Sequence, residues 1–202
     1  PDVDELGADI YFFSLYEVYG PHLGVMVMRQ AVNESLPNQG HFFNVDHATS
    51  RFTPAGPDHA QIASVNGVID YFEAIDAHHF DTSTDSTKTS RVGALLHRAE
   101  TENLEPLLDF LKQRKGINLI GKPTTDSRAP TVSFTVDGVD PEIIAEKLAK
   151  QRIGIANGNC YAYRLMEALG IHPERGVVRL SFVHYTSKEE VRRLIDALAD
   201  II

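Results

Sequence analysis

The sequence predicts an α/β protein, because strand-like and helical segments alternate along much of the chain. The clearest strand signals are short β-branched and aromatic runs at residues 10–14 and 131–136. The clearest helix signals are capping patterns, namely Asp140 followed by Pro141 and the Ser-x-x-Glu sequence at 187–190. With 202 residues, 43% of them hydrophobic, the chain can form one or two domains with a packed core.

The first third of the chain is predicted to be rich in strands. Candidate strands cover residues 10–14, 23–29 and 41–43, and proline, asparagine and glycine separate them at 37–40. A long helix is predicted from residue 58 to about 78, because apolar side chains recur there at helical spacing. These side chains are Ile62, Val65, Ile69, Phe72 and Ile75.

A polar, Ser/Thr-rich stretch at 81–89 is predicted to be a loop between two domains, residues 1–88 and residues 89–202. A helix, broken near Asn103, is predicted to follow from about residue 90 to 114. Strands and helices then alternate to the end of the chain. The predicted strands are 117–120, 131–136, 153–156 and 177–183, and the predicted helices begin at 141, 162 and 187.

Charge and cysteine content exclude several classes of protein. Nucleic acid and anionic membranes are not expected as partners, because both need clustered Lys and Arg, whereas the formal net charge is -9. No apolar run reaches the about 18 residues of a membrane span, and no signal peptide is recognised. The single cysteine, Cys160, excludes an internal disulfide, so a cytoplasmic location is expected. The histidines show no metal-ligand spacing, and no metal is expected.

Residues 14–22, SLYEVYGPH, lie between two predicted strands and carry the strongest functional indication. A polar turn followed by Gly-Pro at this place presents side chains at the mouth of a sheet. Taken alone, Glu17 would be an ordinary turn glutamate. The segment nevertheless resembles the Schiff-base segment of the pyridoxal phosphate-dependent class V aminotransferases, cysteine desulfurase-like branch, which reads roughly Ser-x-His/Tyr-Lys-x-x-Gly-Pro.

In this resemblance Glu17 stands in the place of the Schiff-base lysine. A lysine amine forms an imine with the cofactor aldehyde, whereas a carboxylate cannot, and no lysine precedes Lys88. The resemblance implies that Ser14 and Tyr16 contact the cofactor phosphate. It also implies that His22, which follows the Gly-Pro pair, lines the substrate cleft, although a solvated turn position is the alternative.

Two further segments match the family in the same order. Residues 51–57, RFTPAGP, resemble a turn that reaches the cofactor phosphate of the dimer partner, which implies a cofactor contact from the backbone of Gly56. An ordinary Pro-Gly turn is the alternative. Residues 178–191 resemble a C-terminal motif whose arginine holds the substrate carboxylate, a role that falls here on Arg179. The alternative for Arg179 is a structural ion pair.

Residues 154–162, GIANGNCYA, resemble the segment that carries the nucleophilic cysteine of true desulfurases. Aligned on Gly158 and Ala162, the place of that cysteine is taken by Tyr161, and Cys160 lies one residue earlier. Cys160 is therefore interpreted as a small apolar side chain rather than a persulfide carrier.

The resemblance implies the C-terminal portion of a fold type I transferase, with a partial large-domain sheet and a small α/β C-terminal domain. It implies a homodimeric enzyme that acts on a small amino acid through an aldimine of pyridoxal 5'-phosphate. Glu17 and the lack of the family's N-terminal part predict that this chain is impaired. The alternative is a non-catalytic homologue that serves as a binding or dimerisation module. A third interpretation is that Glu17 is a substitution introduced to trap a state.

Overall fold

The computed structural model describes residues 3–53, 56–80 and 88–202, with only the backbone described for 88–90. The chain divides into two compact units, Pro1–Thr89 and Ser90–Ile202. Most of the predicted loop, residues 81–87, lies outside the described part, as do Pro54 and Ala55 of the predicted cofactor turn.

The first unit begins with an antiparallel pair of strands, β1 (Ile10–Ser14) and β2 (Gly24–Met28). Ile10 lies opposite Met28 and Ser14 opposite Gly24. A short 3-10 helix, Leu15–Val18, starts directly at the end of β1. The predicted strands at 10–14 and 23–29 are therefore confirmed, because aromatic and β-branched runs separated by a Gly-Pro turn favour this pairing.

The helices of the first unit differ from the prediction in two places. Helix α1 (Gln30–Ser35) was not expected, and the predicted strand at 41–43 is wrong, because Phe42–Asn44 forms a 3-10 helix closed by Asn44 N–H donating to His41 O at 2.8 Å.

The single helix predicted from 58 to about 78 is two helices, α2 (His59–Ser64) and α3 (Asn66–His79). Hydrogen bonds between residues three apart tighten the chain around Val65, whose N–H donates to Ile62 O. Of the predicted apolar face, Val65, Phe72 and Ile75 are partly buried, whereas Ile62 and Ile69 are exposed.

The first unit has almost no core of its own. Among residues 3–53 and 56–80, Leu15 and Asp76 are the only buried residues. Large apolar side chains are exposed instead, with Phe12 at 67%, Phe42 at 78% and Phe43 at 62% of their full accessible area. Because a two-stranded pair is at best marginally stable by itself, this unit depends on contacts beyond its own strand pair.

The second unit contains a four-stranded antiparallel sheet. Its strands are β3 (Ile117–Ile120), β4 (Thr131–Val136), β5 (Ala156–Gly158) and β6 (Val177–Ser181), in the spatial order β3-β4-β6-β5. The predicted strands at 117–120 and 131–136 are confirmed. The other two predicted strands exist with different bounds, since β5 begins three residues later than expected and β6 ends two residues earlier.

Four helices complete the second unit: α4 (Lys88–Gln113), α5 (Pro141–Lys150), α6 (Tyr163–Ala168) and α7 (Lys188–Ala199). Helix α4 is continuous through Asn103, so the predicted break is wrong. Asp140 caps α5 by accepting from Glu142 N–H at 3.0 Å. Ser187 and Glu190 form the predicted capping box of α7.

The core of the second unit lies between one face of the sheet and helices α4, α5 and α7. It is built from buried leucines, isoleucines and valines that alternate along the strands and recur at helical spacing along the helices. The helices supply Leu104, Leu107, Leu108, Leu111, Ile144, Leu148, Val191, Leu194 and Leu198, the sheet supplies Val132, Phe134, Val178 and Leu180, and Phe182 follows β6 directly. Because strand side chains alternate, Arg179 and Ser181 of β6 lie on the opposite face.

Candidate functional site

The turn after β1 is held in place by one residue. Leu15 is buried, and its N–H donates to Leu23 O at 2.8 Å. Its carbonyl oxygen accepts hydrogen bonds from the N–H of Tyr19 and, at 2.7 Å, from that of Gly20. These bonds join the start of the 3-10 helix to Leu23 and its end to its own first residue, and they fix the segment in which the sequence places most of the predicted site.

The 3-10 helix divides its side chains between an inner and an outer side. Residues three apart lie above one another in a 3-10 helix, so Leu15, which is buried, and Val18, which is partly buried, share the inner side. Tyr16, at 52% of its full accessible area, and Glu17 are exposed. Two of the predicted site residues are thus presented outward by the local geometry.

Two predicted site residues meet at this turn. The rings of Tyr16 and His22 stack with centroids 4.7 Å apart and an interplanar angle of 11°. Ser14, the residue before the 3-10 helix, is partly buried, and its hydroxyl makes no capping hydrogen bond. The turn therefore groups a hydroxyl-bearing residue, a phenol, an imidazole and the Glu17 carboxylate within nine residues of chain.

Glu17 forms no hydrogen bond or ion pair with another residue in the part of the chain that the structure describes. Residues 1–28 contain no Lys or Arg at all. The first Lys or Arg in the sequence is Arg29. Its Nε lies 3.8 Å from Asp9 Oδ1 and donates to Ala8 O at 3.0 Å. Among the described residues, no Lys, Arg or His forms an ion pair with the Glu17 carboxylate.

Glycine at position 20 is required by a close approach. A Cβ built on Gly20 would lie 2.9 Å from both Leu15 O and Val68 Cγ2. The preceding residue, Tyr19, has a left-handed backbone with φ of 67° and its ring lies 5.8 Å from that of Tyr71. Packing against α3 therefore requires glycine at position 20 of the Gly-Pro pair, because only a residue without a side chain fits there.

The turn at 51–57 contains one predicted site residue, Gly56, which is exposed with φ of 72°. At the start of α2, the Asp58 carboxylate accepts from Gln61 N–H at 3.0 Å and from Gln61 Nε2 at 2.9 Å. These hydrogen bonds, the backbone one first, lower the pKa of Asp58. The chain itself therefore supplies an anion at this helix end, and the phosphate contact of Gly56 stays a prediction.

Arg51 of the same motif has a structural role that was not predicted from the sequence. Its Nη1 donates to Asn33 O at 2.6 Å and its Nη2 to Leu36 O at 2.5 Å. Its own carbonyl oxygen accepts from the N–H of Gln39 and of Gly40. A guanidinium on the last carbonyls of a helix satisfies acceptors that have no partner within the helix, so Arg51 closes α1.

Arg179 belongs to the second unit, in the middle of β6. Its neighbours across the strand ladders are Ser133 and Ala156, both with small side chains. Its Nε is buried and has no hydrogen-bond partner among the residues that the structure describes. No acidic residue within the described ranges forms an ion pair with it, so the structural ion pair considered above is not observed there. A buried donor without a partner is costly, and a carboxylate is the group that would satisfy it.

The segment of the family's nucleophilic cysteine forms a tight loop. Cys160 and Tyr161 both have left-handed backbones, with φ of 49° and 64°. Asn159 holds the loop, because its Oδ1 accepts from Tyr161 N–H at 3.1 Å and its O accepts from Ala162 N–H at 2.8 Å. Tyr161 is fully exposed, whereas Cys160 is partly buried.

Asn103 of α4 is a second residue that the sequence did not reveal. It is buried, and its Nδ2 donates to Thr186 O at 2.6 Å. Thr186 Oγ1 in turn accepts from Val183 N–H at 3.1 Å. This network fixes the turn that follows β6, where burial lowers the pKa of His184. The only sequence signal was a polar side chain beside the leucine stripe of a helix.

A metal-binding cluster and a membrane-spanning helix are both absent from residues 3–53, 56–80 and 88–202. In those ranges, no three His, Cys, Asp or Glu side chains are grouped so that they could hold a metal ion. None of the helices there combines the length and the apolar character that crossing a membrane requires.

The profile of the Aminotransferase class-V family matches residues 1–194. The chain belongs to this family. The aminotransferase-like protein FGM3 of Gibberella zeae is 32% identical over 204 residues, which cover 100% of this chain and 48% of FGM3. The class V chain thus spans about half the length of the curated relatives that it matches.

Solved structures of the same group share the fold of this class V chain. The apo cysteine desulfurase of Thermococcus onnurineus NA1 aligns with a TM-score of 0.80 at 23% identity, over 99% of this chain and 48% of that one. A lysine-to-alanine mutant of C-DES with glycine covalently linked to its PLP cofactor aligns with a TM-score of 0.66 at 20% identity, over 98% of this chain and 48% of that one. The predicted family and the predicted α/β partial transferase fold are confirmed.

Proposed function

We propose that this chain is the C-terminal portion of a pyridoxal phosphate-dependent protein whose cofactor lies at the Ser14–His22 turn and whose substrate is a small amino acid. The observation that carries the proposal is the outward presentation of Tyr16 and Glu17, beside the stacked His22, on a turn that Leu15 holds in place. In this view residues 1–88 are part of a large cofactor domain and residues 89–202 are the small C-terminal domain of a cytoplasmic protein.

Most of the proposed site fits the cofactor. Pyridoxal phosphate, when bound, supplies an aldehyde for amino groups and a ring that withdraws electrons from the substrate. The Ser14 hydroxyl and the Tyr16 phenol can donate to phosphate oxygens, and in a homodimer the backbone N–H of Gly56 would serve the cofactor phosphate of the partner subunit. His22 would orient the substrate. The Ser14 hydroxyl makes no capping hydrogen bond to the 3-10 helix, which supports its assignment as a phosphate contact.

Glu17 does not fit the aldehyde. It is an acceptor when ionised and has no amine with which to hold the cofactor covalently. The Glu17 carboxylate could still hold or move a proton. What it lacks is an amine that could hold the cofactor covalently and then be replaced by the amine of the substrate. The lysine-to-alanine mutant of C-DES, which holds glycine covalently linked to PLP, supports the view that a variant of this fold can hold the cofactor together with an amino acid. We therefore expect weak or absent turnover.

Arg179 is proposed to bind the substrate carboxylate. Its planar guanidinium can make two parallel hydrogen bonds to a carboxylate, and its buried Nε has no partner from the described residues. Arg179→Lys would keep the charge and lose this paired geometry. The expected result is weaker binding of amino acid carboxylates by Arg179→Lys than by the wild type, measured by calorimetric titration.

The second candidate function is a non-catalytic binding or dimerisation module. The exposed Phe12, Phe42 and Phe43, together with the nearly coreless first unit, favour it, because large exposed apolar side chains mark interaction surfaces. A homodimer is the expected assembly. Sedimentation analysis of the wild type and of a Phe42→Ser, Phe43→Ser variant tests it, and an unchanged monomer in both would argue against a dimerisation role for this surface.

Restoring the lysine tests the cofactor assignment. Glu17→Lys should acquire a visible absorbance band with pyridoxal phosphate, and borohydride should fix the cofactor on that residue, as mass spectrometry of peptides can show. Glu5→Lys is the matched control, because Glu5 is exposed in the same unit and lies outside the turn. Equal labelling of both variants, or labelling of neither, would contradict the proposed site.

A further inference from the structure

We infer that the turn around Glu17 takes the amine form of the cofactor, pyridoxamine 5'-phosphate, in preference to the aldehyde form. This inference rests on the proposed function, since it assumes that the cofactor lies at this turn. It concerns which form of the B6 cofactor the chain selects, and it makes Glu17 a binding residue for an ammonium group rather than only a missing lysine.

The first support is the state of the Glu17 carboxylate. Leu15 and Val18 take the inner side of the 3-10 helix, so Glu17 is exposed on a turn that is fixed at both ends. Within the described ranges, the carboxylate has neither an ion pair nor a hydrogen bond. It is therefore available to a ligand without the loss of an existing interaction, and its turn requires no rearrangement before binding.

The second support is the charge of the surrounding segment. Residues 1–28 hold five acidic side chains and no Lys or Arg, and the acidic ones are Asp2, Asp4, Glu5, Asp9 and Glu17. A cationic group placed beside Glu17 meets attraction from the carboxylate and no competing cation from this segment. An aldehyde carries no charge and gains nothing from the same carboxylate.

The third support is the chemistry that distinguishes the two cofactor forms. They share the ring and the phosphate, and they differ in a primary ammonium in one and an aldehyde in the other. The aldehyde form is normally held by an imine with a lysine, which position 17 cannot provide. The ammonium form can make a charge-assisted hydrogen bond to a carboxylate, which is stronger than a neutral one. The stacked Tyr16 and His22 serve both forms equally.

Equilibrium dialysis of the 202-residue chain with three probes tests the inference. The probes are pyridoxamine phosphate, pyridoxal phosphate and pyridoxine phosphate, the last of which carries a neutral hydroxymethyl group at the same place. We expect pyridoxamine phosphate to bind about threefold to fivefold more tightly than the other two, as one ion pair with an exposed carboxylate allows. Equal affinities for the three probes would overturn the inference.

Matched variants assign the preference to one carboxylate. Glu17→Gln keeps the shape of the side chain and removes its charge. This variant should therefore bind the amine form and the other two probes with about equal affinity. Glu5→Gln, on the exposed surface of the same unit, should leave the preference unchanged. A preference that persists in Glu17→Gln would overturn the role of Glu17. Circular dichroism of each variant verifies that it is folded.

The lysine variant separates failure of this inference from failure of the proposed function. If Glu17→Lys fixes pyridoxal phosphate on borohydride reduction and the wild type shows no preference for the amine form, the cofactor site stands and the inference is wrong. If Glu17→Lys gives no adduct and the wild type binds none of the three probes, the cofactor assignment fails and the inference fails with it.

Discussion

The side-chain amide of Asn103 in α4 donates a hydrogen bond of 2.6 Å to the carbonyl oxygen of Thr186, 83 residues further along the chain. Asn103 is buried, and Thr186 lies in the turn that follows β6, the strand that carries Arg179. The bond joins a helix on the core side of the sheet to the end of the strand with the proposed substrate arginine. The turn is thereby fixed relative to α4.

Asn103→Ala should destabilise the protein by about 1 kcal/mol, because it removes a hydrogen bond with a buried donor and leaves the partly buried Thr186 carbonyl without that partner. Urea denaturation followed by circular dichroism measures the change. Asn118→Ala is the control, since Asn118 donates to Asp137 Oδ1 at 2.8 Å on the exposed surface. We expect no more than about 0.5 kcal/mol there. Equal losses in the two variants would show that the Asn103 bond contributes no more than a surface contact.

Gly176→Ala should prevent the second unit from folding correctly. A Cβ on Gly176 would lie 1.9 Å from the carbonyl carbon of Gly158, and the backbone is left-handed with φ of 65°. Gly138→Ala separates the two effects, because Gly138 has φ of 73° and open space around it. The control should lose only the roughly 1–2 kcal/mol of a left-handed backbone. A Gly176→Ala variant as stable as Gly138→Ala would refute the close approach of the two strands.

The capping box of α7 should make stability depend on pH. Hydrogen bonds from Ser187 N–H, at 2.8 Å, and from its hydroxyl lower the pKa of Glu190. Because the folded-state pKa lies below the unfolded one, this stabilisation is complete above the usual glutamate pKa. It is lost as the pH falls through the folded-state value, below about pH 4.

Glu190→Gln tests this pH dependence, because glutamine keeps a capping oxygen but does not titrate. The difference in unfolding free energy between wild type and Glu190→Gln should shrink as the pH is lowered from 7 to 3. Glu189→Gln, a first-turn neighbour outside the capping box, is the control. A difference that stays constant over this range would exclude Glu190 as the titrating group.

Gly20→Ala should disrupt the turn that presents Tyr16 and Glu17. The added methyl group would lie 2.9 Å from Leu15 O and from Val68 Cγ2, so the turn or α3 must shift. Gly24→Ala adds the same methyl group in open space and is the matched control. Hydrogen exchange of the Leu15, Tyr19 and Gly20 amides should accelerate in Gly20→Ala only. Unchanged exchange would mean that the turn tolerates a side chain at this place.

Arg179→Met should not reduce stability and is expected to raise the unfolding free energy by up to about 1 kcal/mol, because it removes a buried donor without a partner. The same variant should lose the proposed binding of amino acid carboxylates. Chemical denaturation and calorimetric titration give the two results independently. A clear loss of stability would instead indicate that Arg179 has a structural role in the sheet.

The elements that the sequence predicted well are those set by local signals. Strands β1 and β4 follow from runs of aromatic and β-branched residues, and helices α5 and α7 from their caps and apolar spacing. The family resemblance rested on the turn at 14–22 and on the motif around Arg179, and it is confirmed. The roles of the individual site residues remain predictions.

The failed predictions concern segments whose conformation depends on distant contacts. The 3-10 helix at Phe42–Asn44 carries strand-like residues but has no neighbouring strand with which to pair, and the helix predicted from residue 58 is interrupted at Val65. Residue propensities alone do not distinguish a strand from a 3-10 helix at 42–44, because a strand forms only where a partner strand is available elsewhere in the chain.

By itself, the sequence determined the family and the α/β class, because these depend only on residue identity and order. Tertiary structure decided which side chains meet. It stacked Tyr16 on His22, buried the Nε of Arg179 without a partner and joined Asn103 to Thr186. Such contacts depend on how the backbone folds back on itself, and residue order does not specify their geometry.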